Sequence, residues 1–438
     1  MCVAAESRCC HASSSDHDRR TVKRYGVTKS VVVTGLGVVS PLGDTEDTVV
    51  QNLKTHSCGL TQIDLGLDSP LWFGYITSDF EHEIDELPSE HSLLWKQLAS
   101  VDPGLLYGYV AALRAVADAG LEHEDMLATT RTASTVSSSK GFLRLFLNPH
   151  KDLLDGAPLT SVKPEYVLGF SPDTLGRLLA HRWGFNGPVL STSAACATGL
   201  HSLILGAHLI IDGIADIVLC GSAECTRNQL AMTGFYNMGA LSRDMCRPFD
   251  KSRSGFNPGE GAGVFVLESE EHALAREARI RARLAGWDYR SEAYHVTAVE
   301  PHSPTAEYAV QLTLRRAGWT PESVEYINAH GTGTLQNDRA EALLINRVFG
   351  QHHTPLVSSL KGHIGHLLGA SASAELALVL MALSNGFIPP TLRLETPDPE
   401  CPVNHVHPNG EERSITRFLK FSLGFGGHVA IAAFELPK

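Results

Sequence analysis

Two successive runs of apolar strands and helices constrain the fold of this chain more than any other feature. The first run opens with Ser30–Ser40 (S-V-V-V-T-G-L-G-V-V-S), which reads as a Val-rich buried strand entering a Gly-containing turn. A helix follows at about Glu46–Lys54, then a helical period over Val110–Ala119 and a β-branched strand at Thr132–Val136. The helix Thr174–Trp183 and the strands Ile217–Cys220 and Gly261–Leu267 complete it. The second run repeats the alternation: strand Ile280–Gly286, helix Ala306–Gly318, strand Val324–Ala329, helix Asp338–Phe349, strand Pro355–Ser359 and helix Ala370–Leu383. It closes with strands Leu419–Ser422 and Val429–Phe434 around a Gly-rich turn.

This alternation predicts an α/β architecture with largely parallel sheets covered on both faces. Two similar runs imply an internal duplication, although no repeat recurs at a fixed period. The expected division is a polar, disordered tail over residues 1–29, an N-terminal half over 30–275 and a C-terminal half over 276–438. No Pro/Gly/Ser-rich linker separates the halves, so one compact unit is expected, its internal boundary near Glu270–Arg279.

Composition excludes several function classes. A net charge of −12 with no strongly basic run argues against a nucleic-acid surface. The nine cysteines show no C-x-x-C pair and no Cys/His zinc spacing, so no metal site is expected and reduced thiols in a cytoplasmic compartment fit the count. Residues 1–25 lack the apolar core of a secretory signal. The longest apolar region, Leu200–Cys220, is interrupted by His201, His208, Asp212 and Asp216; it reads as a helix and a strand, not a membrane span.

Chemistry is concentrated in four segments. Ser191–Gly199 (S-T-S-A-A-C-A-T-G) places Cys196 among small residues, between a short Val-Leu strand and the first turn of a helix. Small neighbours permit a tight turn and close substrate approach, and a helix N-terminus favours the thiolate. Taken alone, Cys196 reads more readily as a buried structural cysteine. Ile327–Thr334 (I-N-A-H-G-T-G-T) delivers His330 from a strand end into a Gly/Thr loop. Ser358–Ala370 (S-S-L-K-G-H-I-G-H-L-L-G-A) offers Lys361, His363 and His366, and Leu423–Gly427 (L-G-F-G-G) sets Phe425 among glycines. Functional groups of α/β sheets gather beyond strand carboxyl ends, where Cys196, His330 and His366 all lie.

The set C-A-T-G, N-A-H-G-T-G-T, K-x-x-x-x-H-L-L-G-A and G-F-G-G, in this order, resembles the elongating β-ketoacyl-[acyl-carrier-protein] synthases. The resemblance spans about Ser30–Leu436 and includes P-F-D-x-x-R-x-G-F-x-x-G-E-G-A-G at Pro248–Gly263 and A-Y-H-V-T at Ala293–Thr297. It implies a thiolase-like fold: two duplicated α/β halves in a five-layered α-β-α-β-α sandwich. It also implies decarboxylative Claisen condensation of a Cys-bound acyl chain with malonyl-ACP, in fatty acid or type II polyketide-like chain building. The alternatives within the fold are an acyltransferase and a chain-length-factor-like partner subunit.

By the same resemblance Cys196 is the acyl-carrying nucleophile, and its backbone N–H pairs with that of Phe425 as the oxyanion site. Phe425 is also the gate. His330 and His366 are the enolate-binding pair. Lys361 and Glu375 form an electrostatic support that orients His366 and sets the charge of the site, Thr332 and Thr334 bind the pantetheine arm, and Asp338 and Glu341 are structural. His363 falls at a variable position and is read as structural. No cofactor is implied beyond the phosphopantetheine of the acyl carrier protein. The implied partners are that carrier and a second copy or a related synthase or chain-length-factor subunit.

Three positions depart from the commonest fatty-acid pattern: Ser254 and Glu292 where Asp is usual, and Val429 where Asn is usual. They favour a specialised branch. The stretch Glu81–Glu90 is acidic where Lys/Arg is normal for carrier docking, so either arginines elsewhere, such as Arg227, Arg243 or Arg247, or a partner subunit supplies the docking surface.

Overall fold

The computed structural model describes residues 29–66, 68–80, 82–83, 89–122, 126–350 and 353–437. The N-terminal tail, and Glu81, Asp85 and Glu86 of the acidic stretch, lie outside them.

Ten strands join in one sheet: β1 (Val31–Val39), β2 (Thr132–Ser134), β3 (Ile217–Glu224), β4 (Gly261–Ser269), β5 (Ala282–Ser291), β6 (Tyr326–Asn328), β7 (Leu356–Ser358), β8 (Asn404–His405), β9 (Arg417–Gly424) and β10 (His428–Glu435). Their spatial order is β8-β7-β6-β9-β10-β5-β1-β4-β3-β2. The duplication is written in that order. From β1 outward the pairings run antiparallel to β4, antiparallel to β3, parallel to β2. From β5 outward they run antiparallel to β10, antiparallel to β9, parallel to β6, parallel to β7. The two repeats join where Val31–Val33 of β1 pairs with Ala282–Leu284 of β5.

The expectation of largely parallel sheets is corrected to mixed ones. β9 and β10 are joined by a tight turn and pair antiparallel, whereas β6 and β7 are joined by the helix Leu335–Phe349 and pair parallel. The short Val-Leu strand expected before Cys196, within Phe185–Leu190, is a second correction: Val189 forms one parallel bridge with Ser134 at the sheet edge, and Leu190 is 39% exposed, so it adds no strand to the sheet. Third, the strand at Val31 does not end at its glycines. Gly35 and Gly37 lie inside β1, with a bulge between Val33 and Gly35. A Cβ on them would come 2.1 Å from the Ala115 carbonyl oxygen and 2.0 Å from that of Ala111. Glycine here lets the helix Pro103–Asp118 lie directly on the strand.

Alternation along the strands sorts side chains into three cores. Ile217 and Leu219 of β3, with Val264 and Val266 of β4, pack against the outer helices Pro103–Asp118 and Thr174–Trp183. Leu419 of β9 and Ile431 of β10 pack against Pro304–Ala317 and Leu335–Phe349 on the opposite side. Intervening residues, including Val218, Phe265, Phe418 and Ala430, face the central layer. That layer is Thr198–Ile211 and Ser371–Ser384, two helices apolar nearly all round because both faces meet a sheet. The result is helix, sheet, helix, sheet, helix. No helix among the described residues is long and apolar enough to cross a membrane.

Candidate active site

Cys196 sits in a single helical turn, Ala195–Ala197, that leads straight into the central helix Thr198–Ile211. Ala195, the residue before it, has φ +47°, a left-handed conformation that costs a non-glycine residue free energy. Thr198 holds this elbow: its hydroxyl accepts from Ala194 N–H at 2.9 Å and donates to the Ala195 carbonyl at 2.8 Å. The short chain of alanines thus projects the sulfur out of the turn, and Ser422 of β9 donates to the Cys196 carbonyl at 3.2 Å.

The histidines come from the second repeat. His330 follows β6, and Glu341 on the next helix accepts from the N–H groups of His330 (2.6 Å) and Gly331 (2.7 Å). Asp338 accepts from Gly333 N–H at 3.1 Å and Phe249 N–H at 2.8 Å. Both carboxyls therefore do what their structural assignment predicted. His366 follows the four-residue helix Lys361–Ile364 after β7. Its Nε2 lies 3.1 Å from Cys196 Sγ. Its Nδ1 accepts from the Leu368 backbone N–H at 3.3 Å and lies 2.7 Å from Ser371 Oγ. An Nδ1 that accepts puts the proton on Nε2, so His366 presents a donor to the sulfur.

The ligating atoms of Cys196, His330 and His366 all lie within 4.8 Å of one another, and the two imidazoles meet edge to face at 5.4 Å. Burial, with the nearby lysine charges, drives both imidazoles well below their ordinary pKa, so both are neutral at pH 7. Burial also raises the Cys196 thiol. The charges of Lys140 and Lys361 and the Phe425 backbone N–H pull it down only in part. The resting form is the thiol, contrary to the expectation from the helix N-terminus alone. Desolvation outweighs that field.

Lys361 Nζ bonds the His330 carbonyl oxygen at 2.5 Å and Glu375 at 2.6 Å. It braces His330, whereas the sequence assigned it to orienting His366; Ser371 and Leu368 hold His366 instead. The sequence also missed Lys420 of β9, whose Nζ takes the other Glu375 oxygen at 2.6 Å. All three groups are fully buried. Burial favours a neutral Glu375, yet the two ammoniums hold its carboxyl below the usual range, while burial pushes Lys420 down to about 8. A lone Lys inside an apolar strand gives no sequence signal; only its place opposite Glu375 does.

A cavity of about 390 Å³ reaches Cys196, His330, His366, Thr332, Thr334 and Phe425. Thr332 and Thr334 share a 2.9 Å hydrogen bond on its wall. Phe425 lies in the turn between β9 and β10, followed by Gly426 (φ +86°) and Gly427 (φ +77°). Ser254 bonds Ser242 at 2.9 Å and, with Glu292, also lines the cavity. His363 is buried away from it, with Nδ1 2.9 Å from the Ser57 carbonyl oxygen. Of the candidate docking arginines, Arg227 is engaged with the buried Glu260 at 3.0 Å and Arg247 pairs with Asp244 at 3.2 Å.

Comparison with known proteins adds the lineage. The family model described as "Beta-ketoacyl synthase, N-terminal domain" matches residues 28–273, and "Beta-ketoacyl synthase, C-terminal domain" matches 281–395. The 3-oxoacyl-[acyl-carrier-protein] synthase 2 of Staphylococcus aureus (strain N315) is 35% identical over 413 residues, 93% of this chain and 98% of that protein. The structure of the ishigamide ketosynthase/chain length factor superposes with TM-score 0.84 at 30% identity, covering 94% of this chain and 100% of that one. A type II PKS acyl-carrier protein in complex with its ketosynthase gives TM-score 0.81 at 28% identity, with the same coverage.

Proposed function

The chain belongs to the beta-ketoacyl synthase family, and from that premise we propose how its own residues carry the family's condensation. The reaction joins a Cys-bound acyl chain to malonyl-ACP with loss of CO2. Cys196 Sγ attacks the carrier-bound thioester; the new S–C bond forms as the pantetheine C–S bond breaks, and the thiol proton leaves with the departing thiol. The oxyanion of that step takes the N–H groups of Cys196 and Phe425. Loss of CO2 from the malonyl thioester then leaves an enolate, whose oxygen accepts from the neutral rings of His330 and His366. The enolate carbon attacks the Cys196 thioester, and the sulfur is released.

Lys361, Glu375 and Lys420 keep His330 in place. Thr332 and Thr334 bind the pantetheine arm, and Phe425 gates the cavity on its glycine-flanked turn. The convergence of Cys196, His330 and His366 within 4.8 Å carries this reading. Acyl groups arrive on the phosphopantetheine of an acyl carrier protein, with no separate cofactor, and the enzyme works in the cytoplasm. The complexes of similar ketosynthases with a carrier and with a chain length factor support those partners here, as a homodimer or a heterodimer with a related subunit. A chain-length-factor-like role fits less well, because Cys196 is present and poised.

Mass spectrometry of the intact protein after incubation with an acyl-carrier thioester tests the assignment. Cys196→Ala is expected to take up no acyl group; labelling to the wild-type extent would defeat the nucleophile role. His330→Ala is expected to acylate but not to consume malonyl thioester. Undiminished consumption by that variant rules out the enolate role.

A further inference from the structure

The atoms that meet beside the sulfur are also the donor set of a soft metal ion. Cys196 Sγ and a ring nitrogen each of His330 and His366 lie within 4.8 Å of one another, and all three residues are buried. A tetrahedral Zn2+ takes sulfur at about 2.3 Å and imidazole nitrogen at about 2.0–2.1 Å, which sets its ligand atoms about 3.4–3.6 Å apart. The 3.1 Å between Sγ and His366 Nε2 and the 4.8 Å limit bracket that spacing. Cys/His spacing along the chain gives no sign of such a site, because its ligands come from three separate segments.

The surroundings decide which ion fits. His366 already has a partner for the metal-binding tautomer. With Nε2 on the ion the ring proton sits on Nδ1, and Ser371 Oγ at 2.7 Å is placed to accept it. The cost is the long bond from Leu368 N–H at 3.3 Å. His330 is held from behind, its N–H by Glu341 and its carbonyl by Lys361. No carboxylate oxygen is among the three ligand atoms, and Lys361 and Lys420 share the one carboxylate of Glu375, so the field beside the site stays positive. That disfavours Ca2+ and Mg2+, which bind through oxygens, and leaves ions that bond thiolate and imidazole. The cavity of about 390 Å³ reaches all three ligands, so water can take the fourth position.

We propose that Cys196, His330 and His366 form a zinc site through which free Zn2+ reversibly inhibits the enzyme. The Zn–S bond replaces the S–H bond, and the thiol proton leaves to solvent. The ion then holds the sulfur that would attack the thioester and both ring nitrogens that would receive the enolate. Binding is independent of the assigned chemistry, whereas the inhibition rests on the reading of Cys196 as the acyl-carrying nucleophile.

The test uses the full chain with Co2+ or Zn2+ alone. Titration with Co2+ should develop the charge-transfer band of a Co2+–thiolate bond and the intense visible bands of a tetrahedral site, at one ion per chain, and Zn2+ should bleach both. Cys196→Ser should lose the charge-transfer band. Ser371→Ala, which removes only a partner of a ligand, should weaken zinc affinity about 10–100-fold, and His366→Asn should weaken it further. Wild type acylated beforehand should show no band, a control that requires no variant to fold. In the acylation assay, free Zn2+ at about ten times its Kd should slow labelling of Cys196 about tenfold, and a chelator should restore it. A wild type without the charge-transfer band, or a band that survives in Cys196→Ser, overturns the site. Labelling unchanged by saturating Zn2+ overturns the inhibition. Labelling that persists in Cys196→Ala defeats the nucleophile reading, and the inhibition with it, while the cobalt spectrum stands.

Discussion

At the scale of single residues, the site is governed by desolvation more than by the groups usually invoked to activate a thiol. Cys196 begins a helix, yet burial raises its thiol above the ordinary value. Its alkylation by iodoacetamide is therefore expected to keep rising about tenfold per pH unit from pH 7 to 9, without a plateau. A plateau below pH 8 would show that the helix field and lysines win. Glu375 illustrates the opposite balance: two ammoniums overcome its burial. Removing it strands two cations, so Glu375→Ala is expected to lower stability to urea by about 3–5 kcal/mol, whereas Lys420→Met, which leaves the Lys361–Glu375 pair intact, should cost clearly less. These residue-level features were unevenly legible in the sequence. Cys196, His330 and His366 stand in motifs that together carry the family resemblance. Lys420 and Ser371 do not, since their roles depend on what faces them across the fold.

At the scale of elements, glycine positions decide how closely layers approach. Gly37 allows the helix Pro103–Asp118 to rest its Ala111 carbonyl against β1. A methyl group there must displace the helix, so Gly37→Ala is expected to cost about 1–3 kcal/mol, seen as a lower thermal midpoint. An unchanged midpoint would mean that the helix shifts freely. The sequence read these same glycines as a turn, because Gly within a Val run signals a break when the partner helix is not in view. Helices were placed well for the converse reason: Glu46–Lys54 and Thr174–Trp183 carry their period and their ends locally. Strand direction was not legible, since apolar strands buried on both faces look alike whether parallel or antiparallel.

At the scale of the whole molecule, burial of imidazoles predicts acid sensitivity. His201, His363 and His405 are each pushed down to about 4 by burial, and His330 and His366 well below the ordinary value. Below pH 6.5 the unfolded chain protonates these rings while the folded one does not, so stability falls as pH drops from 6.5 towards 4. Asp102 and Glu341, raised to about 7 by burial, and Asp338, also raised, work in the opposite sense, because the folded state holds their protons. Burial also lowers His208 and His428 and raises Glu292, so seven rings outnumber four carboxyls, and stability to urea should drop between pH 7 and pH 5 by on the order of 1–3 kcal/mol per pH unit. A midpoint that rises over this range would mean that the carboxyls dominate. The duplicated topology was legible as two runs of elements; which sheet edge joins them was not. That junction has a consequence for the chemistry. Cys196 rides on one repeat and both imidazoles on the other, so the 3.1 Å between sulfur and Nε2 is a gauge of how the repeats are seated. A shift of one repeat against the other changes that gap directly.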